Sequence, residues 1–241
     1  MATPTTAASM QPRMLLVYGS QTQTCKRIAS KMSTHWKDKG VVAVCDVFDG
    51  NTLSHETEDL AQLKDNYDVL VVITSSFGDG EPPDNYTNFL LKILQAAEDG
   101  SKPLEGMQHA VLGEGSSVYQ ETFQNCPRLT DKYLEECGSR RFFARHETDV
   151  GGEEDEEVSR NLFRNGVAEI LLKGLPKATT AAAAAWAKPR QSHGEPTDQI
   201  KVHSVESLGG GRGQTTMQIL VPLTVAVIGV GAFCYLQFFA E

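Results

Sequence analysis

Residues 13–40 read RMLLVYGSQTQTCKRIASKMSTHWKDKG, and this stretch decides the fold class. An apolar run ends at Gly19, hydroxyls fall at Ser20, Thr22 and Thr24, and Cys25 follows. Ile28, Ala29, Met32 and Trp36 then recur at helical spacing until Gly40 stops the pattern. Only a short polar loop separates strand from helix, which is the opening half of a βα unit. The three hydroxyls, the free N–H groups of the first helical turn and the helix dipole together form a neutral cradle for a phosphate. The same residues would also serve as an ordinary N-cap.

Outward from this stretch the alternation repeats to about residue 175. VVAVCDVF (41–48) is a second strand, and the polar stretch after it holds a short helix over Glu58–Lys64. YDVLVVITSS (67–76) is the third and most apolar strand, and the helix after it opens on Asp84 and closes at Gly100. MQHAVLGEG (107–115) is the fourth strand, and CPRLTDKYLEECG (126–138) holds a helix. RRFFARHETDV (140–150) reads as one fifth strand, and residues 153–175 as the last helix. Near-continuous Val/Ile/Leu runs between helices indicate a parallel sheet covered on both faces. Five such units predict a doubly wound, three-layer α/β domain over residues 13–176. Its ligand would bind beyond the carboxyl ends of the strands, at the topological switch point.

Composition excludes several function classes. Acidic residues outnumber basic ones by 31 to 22, a net charge of −9, whereas nucleic acid requires a Lys/Arg footprint. The cysteines at 25, 45, 126, 137 and 234 show no CxxC and no paired spacing, the usage of a reducing compartment. The histidines show no ligand spacing either, so no metal is expected. Cys25, at a helix N-terminus, is either a thiol of depressed pKa or a small residue filling the loop.

Two further loops carry chemistry. After the third strand comes Thr74-Ser75-Ser76-Phe77-Gly78-Asp79-Gly80-Glu81-Pro82-Pro83-Asp84, and after the fourth Gly113-Glu114-Gly115-Ser116-Ser117-Val118-Tyr119. An aromatic among glycines and prolines is a poor core element but is suited to lie against a flat ring. Loops after strands one, three and four would converge on one crevice.

On these residues the chain from about Met14 to Leu175 resembles the flavodoxin-like FMN domain of the diflavin reductases. That family includes NADPH–haem-monooxygenase reductase, methionine synthase reductase and the sulfite reductase flavoprotein. Ser20-Gln21-Thr22-x-Thr24 matches its phosphate loop, Phe77 to Asn85 its second loop, and Gly113-x-Gly115 with Tyr119 its third. Glu147-Thr148-Asp149-Val150 matches its acidic segment after strand five. The resemblance implies a flavodoxin-like fold with a five-stranded parallel sheet, and one FMN with no FAD. It implies contacts from Ser20, Gln21, Thr22, Gln23, Thr24 and Cys25, and from Ser75, Ser76, Phe77, Gly78, Asp79 and Gly80. The third loop would add Gly113, Glu114, Gly115, Ser116, Tyr119 and Phe123, and the acidic segment Asp149. No residue of the chain itself is expected to be catalytic. Gln23 departs from the family, which has Gly there; if φ is positive at that position, the side chain is strained by ~1 kcal/mol or more.

The C-terminal part is of another kind. Residues 1–12 are Thr/Ala/Pro-rich and predict a disordered N-terminus, and residues 177–215 are polar and Ala/Gly-rich and predict a flexible linker. No charge lies between Arg212 and Glu241, and Met217–Phe239 is almost wholly apolar. As a helix, 23 residues would span roughly 34 Å, enough for a hydrocarbon core of ~30 Å. A buried core helix would be shorter, and a cleaved lipid-anchor signal requires a secretory leader that residues 1–14 do not resemble. The expectation is one C-terminal transmembrane helix over 217–239, a tail anchor with the α/β domain cytosolic. The tail Ala240-Glu241 lacks basic residues, which favours the endoplasmic reticulum.

Acidic residues concentrate in the same loops: Asp79, Glu81 and Asp84, then Glu114 and Glu121, then Glu147, Asp149 and Glu153–Glu157. Such runs are either a solvated face or an acidic rim that steers basic partners. Because the sequence ends where diflavin reductases continue into an FAD- and NADPH-binding module, the expected role is a monomeric electron carrier. It would take electrons from a separate NADPH-dependent flavoprotein reductase and pass them to an acceptor protein. A flavin-free adaptor and an FMN-dependent quinone reductase are the alternatives.

Overall fold

The computed structural model describes residues 11–175 and two short strands beyond them, at 199–203 and 216–220. Strands β1 (Arg13–Tyr18), β2 (Val44–Asp49), β3 (Val69–Ser75) and β4 (Gln108–Gly115) are all parallel and lie in the order 2-1-3-4. The next position is shared by β5 (Arg140–Arg141) and β6 (His146–Asp149), both paired in parallel with β4. Helices α1 (Thr24–Asp38), α2 (Gly50–Glu56), α3 (Leu63–Asn66), α4 (Thr87–Glu98), α5 (Asn125–Glu136) and α6 (Glu156–Lys173) connect them.

Each strand feeds two cores by simple alternation. Leu15 and Val17 of β1, Leu70 and Val72 of β3 and Val111 of β4 face the layer that holds Phe89, Leu90 and Ile93 of α4 and Leu129 of α5. Met14 and Leu16, Val69, Val71 and Ile73, and Ala110 and Leu112 face the opposite layer, with Ile28, Met32 and Trp36 of α1 and Phe163 and Val167 of α6. Both faces are buried, which is why the strands read as unbroken apolar runs. Trp36 Nε1 also donates to Arg164 O at 3.0 Å and ties α1 to α6.

Three features differ from the sequence reading. The fifth strand is not continuous, because residues 142–145 leave the sheet. Arg141 and Arg145 both reach the Asp131 carboxylate, at 2.8 and 2.9 Å; a regular strand would hold their Cα atoms roughly 13 Å apart. The helical residues after β2 start earlier than expected. Asp49 caps α2 by accepting from Thr52 N at 2.9 Å, whereas the expected helix over 58–64 is a 3₁₀ turn at Leu60–Gln62 followed by α3. The helix after β3 starts at Thr87 rather than Asp84.

Strands β7 (Gln199–His203) and β8 (Thr216–Leu220) pair antiparallel. They fall in the expected linker and in the first residues of the expected membrane segment. The rest of that segment, 221–239, lies outside the described residues, as do most of the linker and residues 1–10. Among the described residues no helix is long and apolar enough to cross a membrane.

Candidate functional site

The chain runs from β1 to β2 on one side and returns to β3 on the other, so the sheet order reverses at β1/β3. Beyond the carboxyl ends of β1, β3 and β4 lies a crevice of about 690 Å³. The doubly wound architecture places a ligand at this point.

The loop after β1 is built to present N–H groups. Ser20 is buried; its N donates to Asn85 Oδ1 at 2.8 Å, and its Oγ accepts from Cys25 N at 3.2 Å. Gln23 sits in the left-handed region at φ 66°, ψ 4°, directly before α1. Thr22 and Thr24 bring their Oγ1 atoms within 3.4 Å of each other. Among the described residues no acceptor bonds the backbone N–H groups of Gln21, Thr22, Gln23 and Thr24. A left-handed turn running into a helix N-terminus with open N–H groups is an anion nest.

The loop after β3 folds on itself. Phe77 and Glu81 exchange backbone bonds of 2.8 Å in both directions, while Gly78 and Gly80 take φ of 53° and 93°, which the tight turn demands. Ser76 Oγ accepts from Cys126 N at 3.0 Å, which fastens the loop to α5. Phe77 remains 42% exposed. In the third loop a 3₁₀ turn over Ser117–Thr122 leaves Tyr119 67% exposed. Asp149 Oδ1 accepts from Ser117 N at 2.7 Å and holds that turn down. Two exposed aromatics therefore flank the crevice mouth.

Thirteen expected contacts line the crevice: Ser20, Thr22, Thr24, Cys25, Ser75, Ser76, Phe77, Gly78, Glu114, Gly115, Ser116, Tyr119 and Phe123. The others have different roles. Gln21 ties the first loop to the second, donating to Asp84 Oδ2 at 2.9 Å and accepting from Asp84 N at 3.1 Å. Gln23 points to solvent, and its contribution is the backbone turn. Asp79 and Gly80 shape the second loop, where Gly80 O accepts from Asn125 Nδ2 at 3.2 Å. Gly113 lies beneath the Gln124 carboxamide, and Asp149 braces the third loop rather than facing the cavity.

Arg27, Thr122, Gln124, Val150, Glu156 and Arg160 also line the crevice; the sequence reading named Val150 and Glu156 only as part of the acidic segment after strand five and did not single out the other four. Gln124 is buried; its Nε2 donates to Thr148 O at 3.0 Å, while its Oε1 has no partner among the described residues. A buried orphan acceptor beside the cavity suits a ligand N–H. Glu114, 3% exposed, pairs with Arg160 at 2.6 Å, and Arg160 also reaches Glu156 at 2.9 Å. Burial lifts the Glu114 carboxyl above the usual carboxylate range even against the opposing Arg160 charge. Burial and then the Glu114 charge push the Cys25 thiol up to about 12. Cys25 is thus an inert filler of the loop and not an activated thiolate.

Three acids counted toward the rim are internal. Glu81 folds into its own loop, Glu114 pairs with Arg160, and the Glu147 side chain, 6% exposed, is held between Arg128 (2.8 Å) and Arg145 (2.9 Å). The Glu147 pair continues through Arg145 to Asp131, Arg141 and His109, an ionic chain under β4, β5 and α5.

The loop N–H nest, the flanking aromatics and the cavity size fit a flat ring carrying a phosphate. Comparisons with known proteins agree. The Flavodoxin family profile matches residues 16–161. The chain is 34% identical over 137 residues to a bifunctional cytochrome P450/NADPH–P450 reductase of Acremonium egyptiacum, covering 57% of this chain and 12% of that one. It is 33% identical to the NADPH–cytochrome P450 reductase of Drosophila melanogaster, covering 54% and 18%. The chain thus spans less than a fifth of the length of these relatives. Oxidised flavodoxin 1 of Bacillus cereus superposes with a TM-score of 0.52 at 17% identity, over 68% of this chain and 99% of that one, which shows the fold. The crevice between the β1, β3 and β4 loops is thus the candidate site for FMN, and the chain belongs to the flavodoxin family.

Proposed function

We propose that the protein is a membrane-anchored FMN electron carrier that receives electrons from a separate NADPH-dependent flavoprotein reductase and delivers them to an acceptor protein. The observation that carries the electron-transfer reading is the exposure of Phe77 and Tyr119 in the lining of the crevice. A flavin ring held against these exposed aromatics would be within reach of another protein. FMN, when bound, supplies the one- and two-electron chemistry.

The chain's own residues bind and position. The N–H nest and the Thr22 and Thr24 hydroxyls would hold the phosphate. Gln21–Asp84 and Ser20–Asn85 lock the first loop to the second, and Asp149–Ser117 fixes the third. The exposed acids Asp79, Glu121 and Glu153–Asp155 would favour approach of a basic partner face. The printed names of the relatives, reductases of cytochrome P450, support an electron-transfer role. The apolar stretch 217–239, long enough to span a bilayer, supports a tail anchor with the flavin domain on the cytosolic side.

The test is the full chain purified from detergent-solubilised membranes. It is expected to be yellow with one FMN, inert to NADPH alone, and reduced when a diflavin-type reductase is added. A colourless protein that takes up no FMN would turn the reading toward an adaptor, and NADPH–quinone turnover without a partner toward a quinone reductase. Removal of residues 214–241 is expected to shift the protein from membrane to supernatant with its flavin retained; continued sedimentation with membranes would refute the anchor.

A further inference from the structure

The α1–α6 wall of the crevice carries a positive charge that a cradle of hydroxyls and N–H groups alone would lack. Arg27, in the first turn of α1, lines the crevice, and its Nη2 donates to Thr24 Oγ1 at 3.3 Å. Thr24 Oγ1 is the atom 3.4 Å from Thr22 Oγ1, so the guanidinium is attached to the hydroxyl pair that faces the phosphate position. Arg160 lines the same wall, but Glu114 and Glu156 already engage its guanidinium. Among the described residues no carboxylate lies within 4 Å of the Arg27 guanidinium. A groove of about 140 Å³ continues from Thr24, Arg27 and Arg160 between α1 and α6 to Lys31 and Arg164, with Glu157 as the acid in its lining. Cationic side chains therefore continue past Arg27 along this groove.

We infer that Arg27 makes this site select a phosphorylated flavin over an unphosphorylated one, by placing a cation against the phosphate held at Thr22 and Thr24. The inference rests on the FMN reading above. Riboflavin shares the ring and ribityl contacts of FMN and lacks only the phosphate, so a charge acting on the phosphate appears in the ratio of the two affinities. Hydroxyls and N–H groups supply hydrogen bonds to the anion, whereas Arg27 supplies the compensating charge. The pair is solvent-accessible, so its contribution lies between an exposed ion pair and a hydrogen bond to a charged group.

The experiment is fluorescence titration of the full apoprotein with FMN and with riboflavin, for wild type, Arg27→Gln, Arg27→Lys and Lys37→Gln. Lys37 lies about 15 Å further along α1 and controls for net charge alone. Arg27→Gln is expected to weaken FMN about 3- to 20-fold and riboflavin less than about 2-fold. Arg27→Lys should recover part of the loss, and Lys37→Gln should leave both affinities in place. The FMN affinity of wild type should fall more steeply with salt than that of Arg27→Gln. An unchanged FMN/riboflavin ratio in Arg27→Gln, or an equal change in Lys37→Gln, overturns the role of Arg27 while leaving FMN binding intact. A wild-type protein that takes up neither flavin overturns the cofactor reading itself, and this inference with it. Circular dichroism of each variant separates a binding loss from a folding loss.

Discussion

Replacing Gln23 by Gly tests whether the phosphate loop carries stored strain. Gln23 adopts φ 66°, ψ 4°, its side chain is exposed, and it makes no cap hydrogen bond to α1. An L-residue in the left-handed region costs ~1–2 kcal/mol relative to Gly. Gly gives back ~0.5–1 kcal/mol through the greater freedom of its unfolded chain. The side chain contributes no cap bond that would be lost, and Gly is an acceptable N-cap. The net expectation is a gain of ~0.5–1 kcal/mol. For a domain of 150–250 residues, where 1 kcal/mol moves Tm by roughly 2–4 °C, this is a rise of about 1–4 °C. Thermal unfolding followed by circular dichroism, with and without FMN, measures it. Gln23→Ala is the control, because it keeps the Cβ in the left-handed region and should gain nothing. Where the strain is relieved in the free loop and reimposed by the phosphate, the gain appears as a several-fold tighter FMN instead. A Gly variant that is less stable and binds more weakly, or an Ala variant that gains as much, would refute the strain account and assign Gln23 a contact of its own.

Three other substitutions follow from the packing. Gly113→Ala would drive a Cβ into Gln124 Oε1 and to 2.9 Å from Pro127 Cβ, so a loss of ~1–3 kcal/mol in chemical denaturation and weakened FMN binding are expected together. Asp131→Asn leaves Arg141 and Arg145 facing a neutral group in a nearly dry site and should cost ~3–5 kcal/mol in urea unfolding. Although burial opposes the charge, hydrogen bonds from His109 and Arg141 hold the Asp131 carboxyl well below its usual range. Its stabilisation is therefore complete above the unfolded value of ~3.9 and is lost as pH falls from there toward the folded value, a slope that Asp131→Asn should flatten. Glu114 has the opposite sign, since its folded value is raised. Stability from this group grows as pH falls through the folded value toward ~4.3, and Glu114→Gln should remove that rise and cost less than Asp131→Asn.

The layers of the fold were legible because burial on both faces writes itself into β1, β3 and β4 as unbroken apolar runs. The three loops were legible because their glycines, hydroxyls and aromatics suit neither helix nor core. The positive φ at Gln23 was a conditional expectation that the backbone meets. What escaped was set by contacts distant in sequence. Arg141 and Arg145 meet a carboxylate on α5, and no local pattern announces that the strand between them must break. Arg160 reads as a surface residue of an amphipathic helix, yet its partner Glu114 lies 46 positions away on the floor of the crevice. Gln124 was passed over because a glutamine before a helix is locally unremarkable, although its left-handed φ of 60° and its burial over Gly113 turn it toward the site.

Charge counted along the chain and charge felt by a partner are different quantities here. Glu81, Glu114 and Glu147 belong to acidic runs in the sequence, but in the fold Glu81 and Glu114 are buried, the Glu147 side chain is largely covered, and Glu114 and Glu147 are directly opposed by guanidinium groups. They fix loop geometry and project little field outward. Glu153, Glu154 and Asp155 are exposed ahead of α6, where Asp155 also caps the helix by accepting from Glu157 N at 2.9 Å and Val158 N at 3.0 Å. Their position at a helix N-terminus stabilises the fold locally, which alone would account for them. A docking role would add the apolar groups Val150 and Tyr119, exposed in the crevice lining. The two roles separate by salt, because a helix cap acts within one turn and leaves bimolecular rates untouched, whereas steering is screened over ~10 Å at 0.1 M. On the proposed reading, the field that reaches a partner would come from the acids left exposed, with the apolar groups at the mouth supplying the contact.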